Sequence, residues 1–135
     1  MPLRPEDIDP GAVAYFEVAF LNSDPLVTGP AHPTNRNGPF VCYDHVNGQS
    51  AWSAITSQER PERLYLEPQW RQGGSNAWRN GAQYLNDGAT TYAGPDASFI
   101  AAAINEAPMN PRPTLSADGV AAVIVAVRAR GGTIL

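Results

Sequence analysis

Two β-rich runs, PFVCYDHV (39–46) and QSAWSAIT (49–56), are separated only by Asn47-Gly48. No other pattern in the chain leaves it so little freedom. A two-residue reversal needs positive φ at both positions, which Asn and Gly tolerate best, and its twist matches that of the strands it joins. An antiparallel hairpin over 39–56 is the expectation around which the other segments must arrange themselves.

Upstream, Pro2, Pro5 and Pro10 make residues 1–10 an N-terminal arm, because proline blocks helix interiors and central strands. Gly11 opens AVAYFEVAF (12–20), whose alternation puts Ala14, Phe16, Val18 and Phe20 on one side and predicts a strand. Residues 21–38 carry three prolines and read as a long loop, a length that usually signals function or disorder. Downstream, 57–63 is a charged connection and 64–70 a short strand, at an edge because of Pro68. Residues 71–81 read as a second flexible loop containing Trp78. A second hairpin is expected over 82–92, turning at Asn86-Asp87-Gly88.

The last third turns helical. Pro95 and Asp96 suit the start of a helix over 94–108, with Phe99, Ile100, Ala103 and Ile104 as its apolar stripe and Pro108 as its stop. Ser116 caps a second helix from about Ala117 to Arg130, with Leu115 and Val120 as a hydrophobic staple and Gly131 as the C-terminal cap. Strands come first and helices later. The expected fold is α+β, one domain over 1–135: a small curled antiparallel sheet or barrel (11–92 mostly β) with C-terminal helices (94–130).

The 135 residues suffice for one core and no more. The longest apolar run, Val120 to Val127, is less than half of the roughly 18 residues that cross a bilayer, so no membrane role is expected. A lone cysteine, Cys42, makes no internal disulfide and points to a reducing, cytoplasmic setting. Thirteen acids against nine bases give a net charge of −4, and every base is arginine. That balance excludes a protein that coats nucleic acid through a broad basic face. A local arginine cluster remains compatible with it, and arginine offers planar, bidentate phosphate recognition.

Cys42, His32 and His45 are the only soft or imidazole ligands, too few for a closed zinc site, and strand alternation sends Cys42 and His45 to opposite faces. Neither a metal nor a cofactor is expected. GGSN (73–76) lacks the lysine and spacing of a phosphate-binding loop. A hydrolase that gathers Ser, His and Asp from distant positions stays open, although no nucleophile motif marks it. Arginine beside a hydroxyl is the remaining chemistry. Thr56 and Ser57 end the hairpin, Arg60 and Arg63 follow closely, and Arg36 precedes its first strand. In an antiparallel pair, the start of one strand lies beside the end of its partner, so Arg36 is expected to meet Thr56 at the sheet rim. His32 and Asn35 sit on the same loop. Such a pair suits a phosphate that gains charge in a transition state; the competing reading has Thr56 capping a strand end and the arginines solvating a loop.

Four segments resemble the MazF/PemK family of toxins from toxin–antitoxin systems. GAVAYFEVAF is similar to the family's opening strand, and GPAHPTNRNGPFVCY to its loop ahead of a strand-opening Pro. SAWSAITS is similar to the third strand, and PTLSADGVAAVIVAVRARGG to the closing helix. The resemblance implies an SH3-like barrel with helices, a homodimer, an antitoxin protein as partner, and metal-independent endoribonuclease cleavage of single-stranded RNA. It also implies roles: Arg36 and Thr56 catalytic, with His32, Asn35, Ser57, Arg60 and Arg63 as substrate contacts. The chain departs from the pattern where Asn37 and Gly38 intervene between Arg36 and Pro39, and where Ala54 replaces a Pro. The alternative is therefore a non-catalytic SH3-like binding or assembly module, of phage or mobile-element type or a degenerate toxin homologue.

Overall fold

The computed structural model describes residues 2–33, 35–87, 90–104 and 112–135. The Asn-Gly hairpin is its centre. Strands β2 (Gly38–Val46) and β3 (Gln49–Thr56) pair antiparallel out to Val46↔Gln49. Asn47 and Gly48 take φ of 50° and 75°, the left-handed pair that a two-residue reversal demands. On the other side of β2 lies β1 (Val13–Phe16). The far edge of β3 is shared: β6 (Thr91–Pro95) runs along Gln49–Ser53 and β5 (Tyr84–Leu85) along Ile55–Thr56. A separate two-stranded sheet joins β4 (Arg71–Gln72) to β7 (Thr114–Leu115). All of these pairings are antiparallel, and with the helices α1 (Val18–Ser23), α2 (Asn76–Asn80), α3 (Asp96–Ala102) and α4 (Ala117–Ala129) the fold is α+β.

Core side chains fill both faces of the sheet. On one face Phe16, Phe40, Trp52, Tyr92 and Phe99 cluster, with Phe16 meeting Trp52 edge-on at 4.9 Å. On the other, Val41, Tyr43, Ile55, Leu66 and Leu85 pack beneath Val120, Val123 and Val127 of α4. Burying an aliphatic or aromatic side chain stabilises by about 1.5–3 kcal/mol. Strand β3 is thus held from above and below, and Ser50–Ile55 are all buried.

Several segments differ from their sequence reading. The strand expected over 12–20 ends at Phe16, and Val18–Ser23 coils into α1. Val18 and Leu21 are buried while Phe20 is 55% exposed; an apolar pair three apart serves a helix better than continued alternation. The arm docks: Leu3 and Ile8 are buried, around a 3₁₀ turn at Pro5–Asp7. Residues 71–81, expected to be loose, form β4 and α2, and Trp78 is buried with its indole N–H donating to Gln72 O. Residues 82–92 do not pair with each other. Each half adds to β3 instead, which offers longer and better-covered partners. Over 64–70 there is only an isolated bridge from Tyr65 to Tyr84, followed by a 3₁₀ turn at Pro68–Trp70. The first C-terminal helix begins at Asp96, after Gly94 and Pro95 have completed β6; its expected stop at Pro108 lies outside the described residues. Helix α4 matches its reading closely. Ser116 Oγ accepts from Gly119 N–H, and Gly131 takes φ 74° beyond the last turn.

Candidate functional site

At the open end of the hairpin the chain forms a cleft of about 470 Å³. Gly38, Pro39 and Phe40 from the start of β2 line it beside Ala54, Ile55 and Thr56 from the end of β3. The last paired residues there are Phe40↔Ala54, so two steps further out Gly38 and Thr56 flank the rim. Arg36, two residues before β2, lines the same cleft, as do Ser57 and Arg63. The antiparallel register thus brings Arg36 and Thr56 onto one cleft, as the sequence implied. Arg36 is exposed. His32 and Asn35, also exposed, are not among the lining residues. Arg60 lines two neighbouring hollows of about 440 and 610 Å³ that both include Arg63.

Hydrogen bonds assign these groups different duties. Thr56 Oγ1 accepts from Gln58 N–H at 3.2 Å, which shapes the turn out of β3 and leaves its own O–H as a donor. Arg63 is a clamp. Its Nε donates to Asn86 O at 2.8 Å, Nη1 to Gln58 O at 2.8 Å and Nη2 to Asn86 Oδ1 at 2.7 Å. All three acceptors are neutral, so the guanidinium charge beside the cleft is not cancelled by these contacts. Asn37 Oδ1 accepts from Val18 N–H at 3.0 Å and ties the residue after Arg36 to the first turn of α1. The two residues that separate Arg36 from Pro39 therefore have a use: Asn37 anchors the loop end that carries the arginine.

A second polar pair lies at the opposite end of the hairpin, about 26 Å along β2 at strand rise. His45 Nε2 sits 2.8 Å from Asp96 Oδ2, at the start of α3. A register shift between Cys42 and Asp44 pairs Cys42 with Trp52 and His45 with Ser50. That bulge reverses the alternation, so Cys42 and His45 share a face rather than leaving opposite ones. The neighbouring hydroxyl, Ser50, is fully buried and accepts from Trp52 Nε1 at 2.9 Å; it offers no accessible nucleophile for a Ser–His–Asp arrangement. Burial pushes the Cys42 thiol up to about 12, and it behaves as a small core residue. Among the described residues no group of three or more His, Cys, Asp or Glu is placed to hold a metal ion, and no helix is long and apolar enough to cross a membrane.

Sequence reasoning missed Arg71. It is 5% exposed, lies over the rings of Tyr65 and Trp78 at 5.9 and 6.0 Å, and donates to Trp78 O at 2.7 Å. Its guanidinium organises α2 and the Tyr65 segment around the far side of Arg63. Nothing local to RQGGSNAW announces this, because its partners come together only in the fold. No family model, curated protein or solved structure matches the chain.

Proposed function

We propose that this cleft binds the backbone of single-stranded RNA and cleaves it without a metal, as in a MazF/PemK-like toxin. The observation that carries the proposal is the convergence of Arg36, Thr56 and Ser57 on one cleft at the end of a β-hairpin. In the proposed reaction the ribose 2′-oxygen attacks the adjacent phosphorus and loses its proton to solvent. The P–O5′ bond breaks, the departing oxygen takes a proton from solvent, and a 2′,3′-cyclic phosphate remains. Negative charge builds on the non-bridging oxygens, where the Arg36 guanidinium and the Thr56 O–H stabilise it. Fixed donors of this kind are worth roughly 3–4 kcal/mol each in a water-poor site. Ser57 and the Arg63 charge hold the scissile phosphate. Arg60 takes the next phosphate along the neighbouring hollows, and His32 and Asn35 reach the strand from the Arg36 loop.

Two related proposals follow from the same resemblance. The sheet curled around β3, which pairs with three strands, is read as an SH3-like barrel. An antitoxin protein is read as the cleft's competitor for RNA.

A second reading has its own support. Arg63 is hydrogen-bonded to three protein carbonyls and the chain carries net charge −4, which suits a binding module that holds a partner without cutting it. Incubating purified protein with a long RNA in EDTA separates the two. Discrete cuts ending in cyclic phosphate, lost in Arg36→Ala, support the nuclease. Intact RNA at micromolar protein, with normal growth of expressing cells, supports the module.

A further inference from the structure

Helix α4 buries Gly119, Val120, Val123 and Val127 against the sheet. At 100° per residue, the opposite side presents Ala117, Asp118, Ala121, Val125, Arg128 and Ala129, all exposed; Val125 alone is 69% exposed. A solvent-facing stripe is expected to be charged. This one is apolar at its centre and carries one acid near its N-terminal end and one base near its C-terminal end.

Those positions are symmetric about the level of Val123. Two antiparallel copies of α4 related by a twofold axis at that level set Ala121 beside Val125 of the second copy. The same axis sets Asp118 level with Arg128 of the second copy, and Ala117 level with Ala129. The apolar centre meets itself, each end meets its opposite charge, and the alanines let the helix axes approach to about 8 Å. An isologous interface requires such self-complementarity, and no other occupant explains it as directly. We propose that the exposed face of α4 is a homodimer interface in which two copies pair antiparallel, with Asp118–Arg128 ion pairs at both ends.

The helix is about 20 Å long, and its face alone is well short of the roughly 800 Å² per partner of a standard interface. The dimer is therefore weak, with dissociation in the micromolar range. The inference uses nothing from the cleft, so it and the RNA reading stand or fall separately.

Sedimentation equilibrium of the full chain over about 1 µM to 1 mM tests it. The proposal expects monomer–dimer exchange within that range. Asp118→Arg and Arg128→Asp should each raise the dissociation constant about tenfold, and the double variant should return it to within about threefold of the parent. Under air oxidation, a mixture of Ala121→Cys and Val125→Cys chains should form the mixed disulfide in preference to either self-disulfide, with buried Cys42 a common background. A chain that stays monomeric throughout overturns the proposal, as does a double variant no better than the singles, or self-disulfides that match the mixed product.

Discussion

Replacing Arg63 by lysine keeps the charge beside the cleft and removes the clamp. Lysine has no planar fork and cannot reach Gln58 O, Asn86 O and Asn86 Oδ1 together. Two of the three hydrogen bonds are part-buried, at 2.8 and 2.7 Å, and the third is exposed at 2.8 Å. Hydrogen bonds to a charged group contribute roughly 1.5–3 kcal/mol each, the exposed one less. Water resolvates some of the freed carbonyls, which brings the net loss to about 2–3 kcal/mol. For a domain of this size each kcal/mol shifts Tm by about 4 °C, so Arg63→Lys should melt about 8–12 °C below wild type. Arg63→Ala should melt only slightly lower. Calorimetry or thermal circular dichroism reads both. A lysine variant within about 2 °C of wild type would refute the clamp and leave Arg63 as a point charge facing substrate.

Three other outcomes follow from named contacts. Asn37→Ala frees the loop end that carries Arg36; RNA cleavage should fall about tenfold while stability drops by only about 1 kcal/mol, and equal losses in both would undo the positioning role. Gly48→Ala places a Cβ in open space but at φ 75°, so its cost is purely conformational, about 1 kcal/mol; urea melts giving no loss would contradict the turn geometry. Cys42 and Tyr43 are both pushed up to about 12, from 9.0 and 10.0, mainly by burial. Their raised folded values mean that the unfolded chain loses these protons first, so stability holds below pH 9 and falls from there toward pH 12. Urea melts across that window should show the decline, shallower in Cys42→Ala; a flat profile would contradict the burial of both groups.

The parts of the fold that could be read in the sequence are those decided locally. Asn47-Gly48 forces a reversal whatever surrounds it, and Ser116 and Gly131 mark the ends of α4 by satisfying its own terminal groups. The convergence of Arg36 and Thr56 on one cleft followed from antiparallel register alone. Segments settled by distant partners were opaque. Residues 84–95 look like a hairpin until β3 is available to take both halves, and 71–81 looks loose until Arg71 is buried between Tyr65 and Trp78. The helix at Val18–Ser23 escaped notice because Val18 fits both alternation and helical spacing, and only Phe20 pointing outward separates the two. Asn37 looked like an interruption of a motif; the hydrogen bond from Val18 N–H that gives it a purpose crosses from another element.

The central claim is that Arg36 and Thr56 act together on a phosphodiester, and cleavage of a long single-stranded RNA in EDTA measures it most directly. Wild-type protein should produce discrete fragments ending in 2′,3′-cyclic phosphate. Arg36→Ala and Thr56→Ala should each slow their appearance about a hundredfold or more without lowering the melting temperature enough to unfold the chain at assay temperature. Uncut RNA with the wild type, or cutting at wild-type rate by folded Arg36→Ala, would contradict the account.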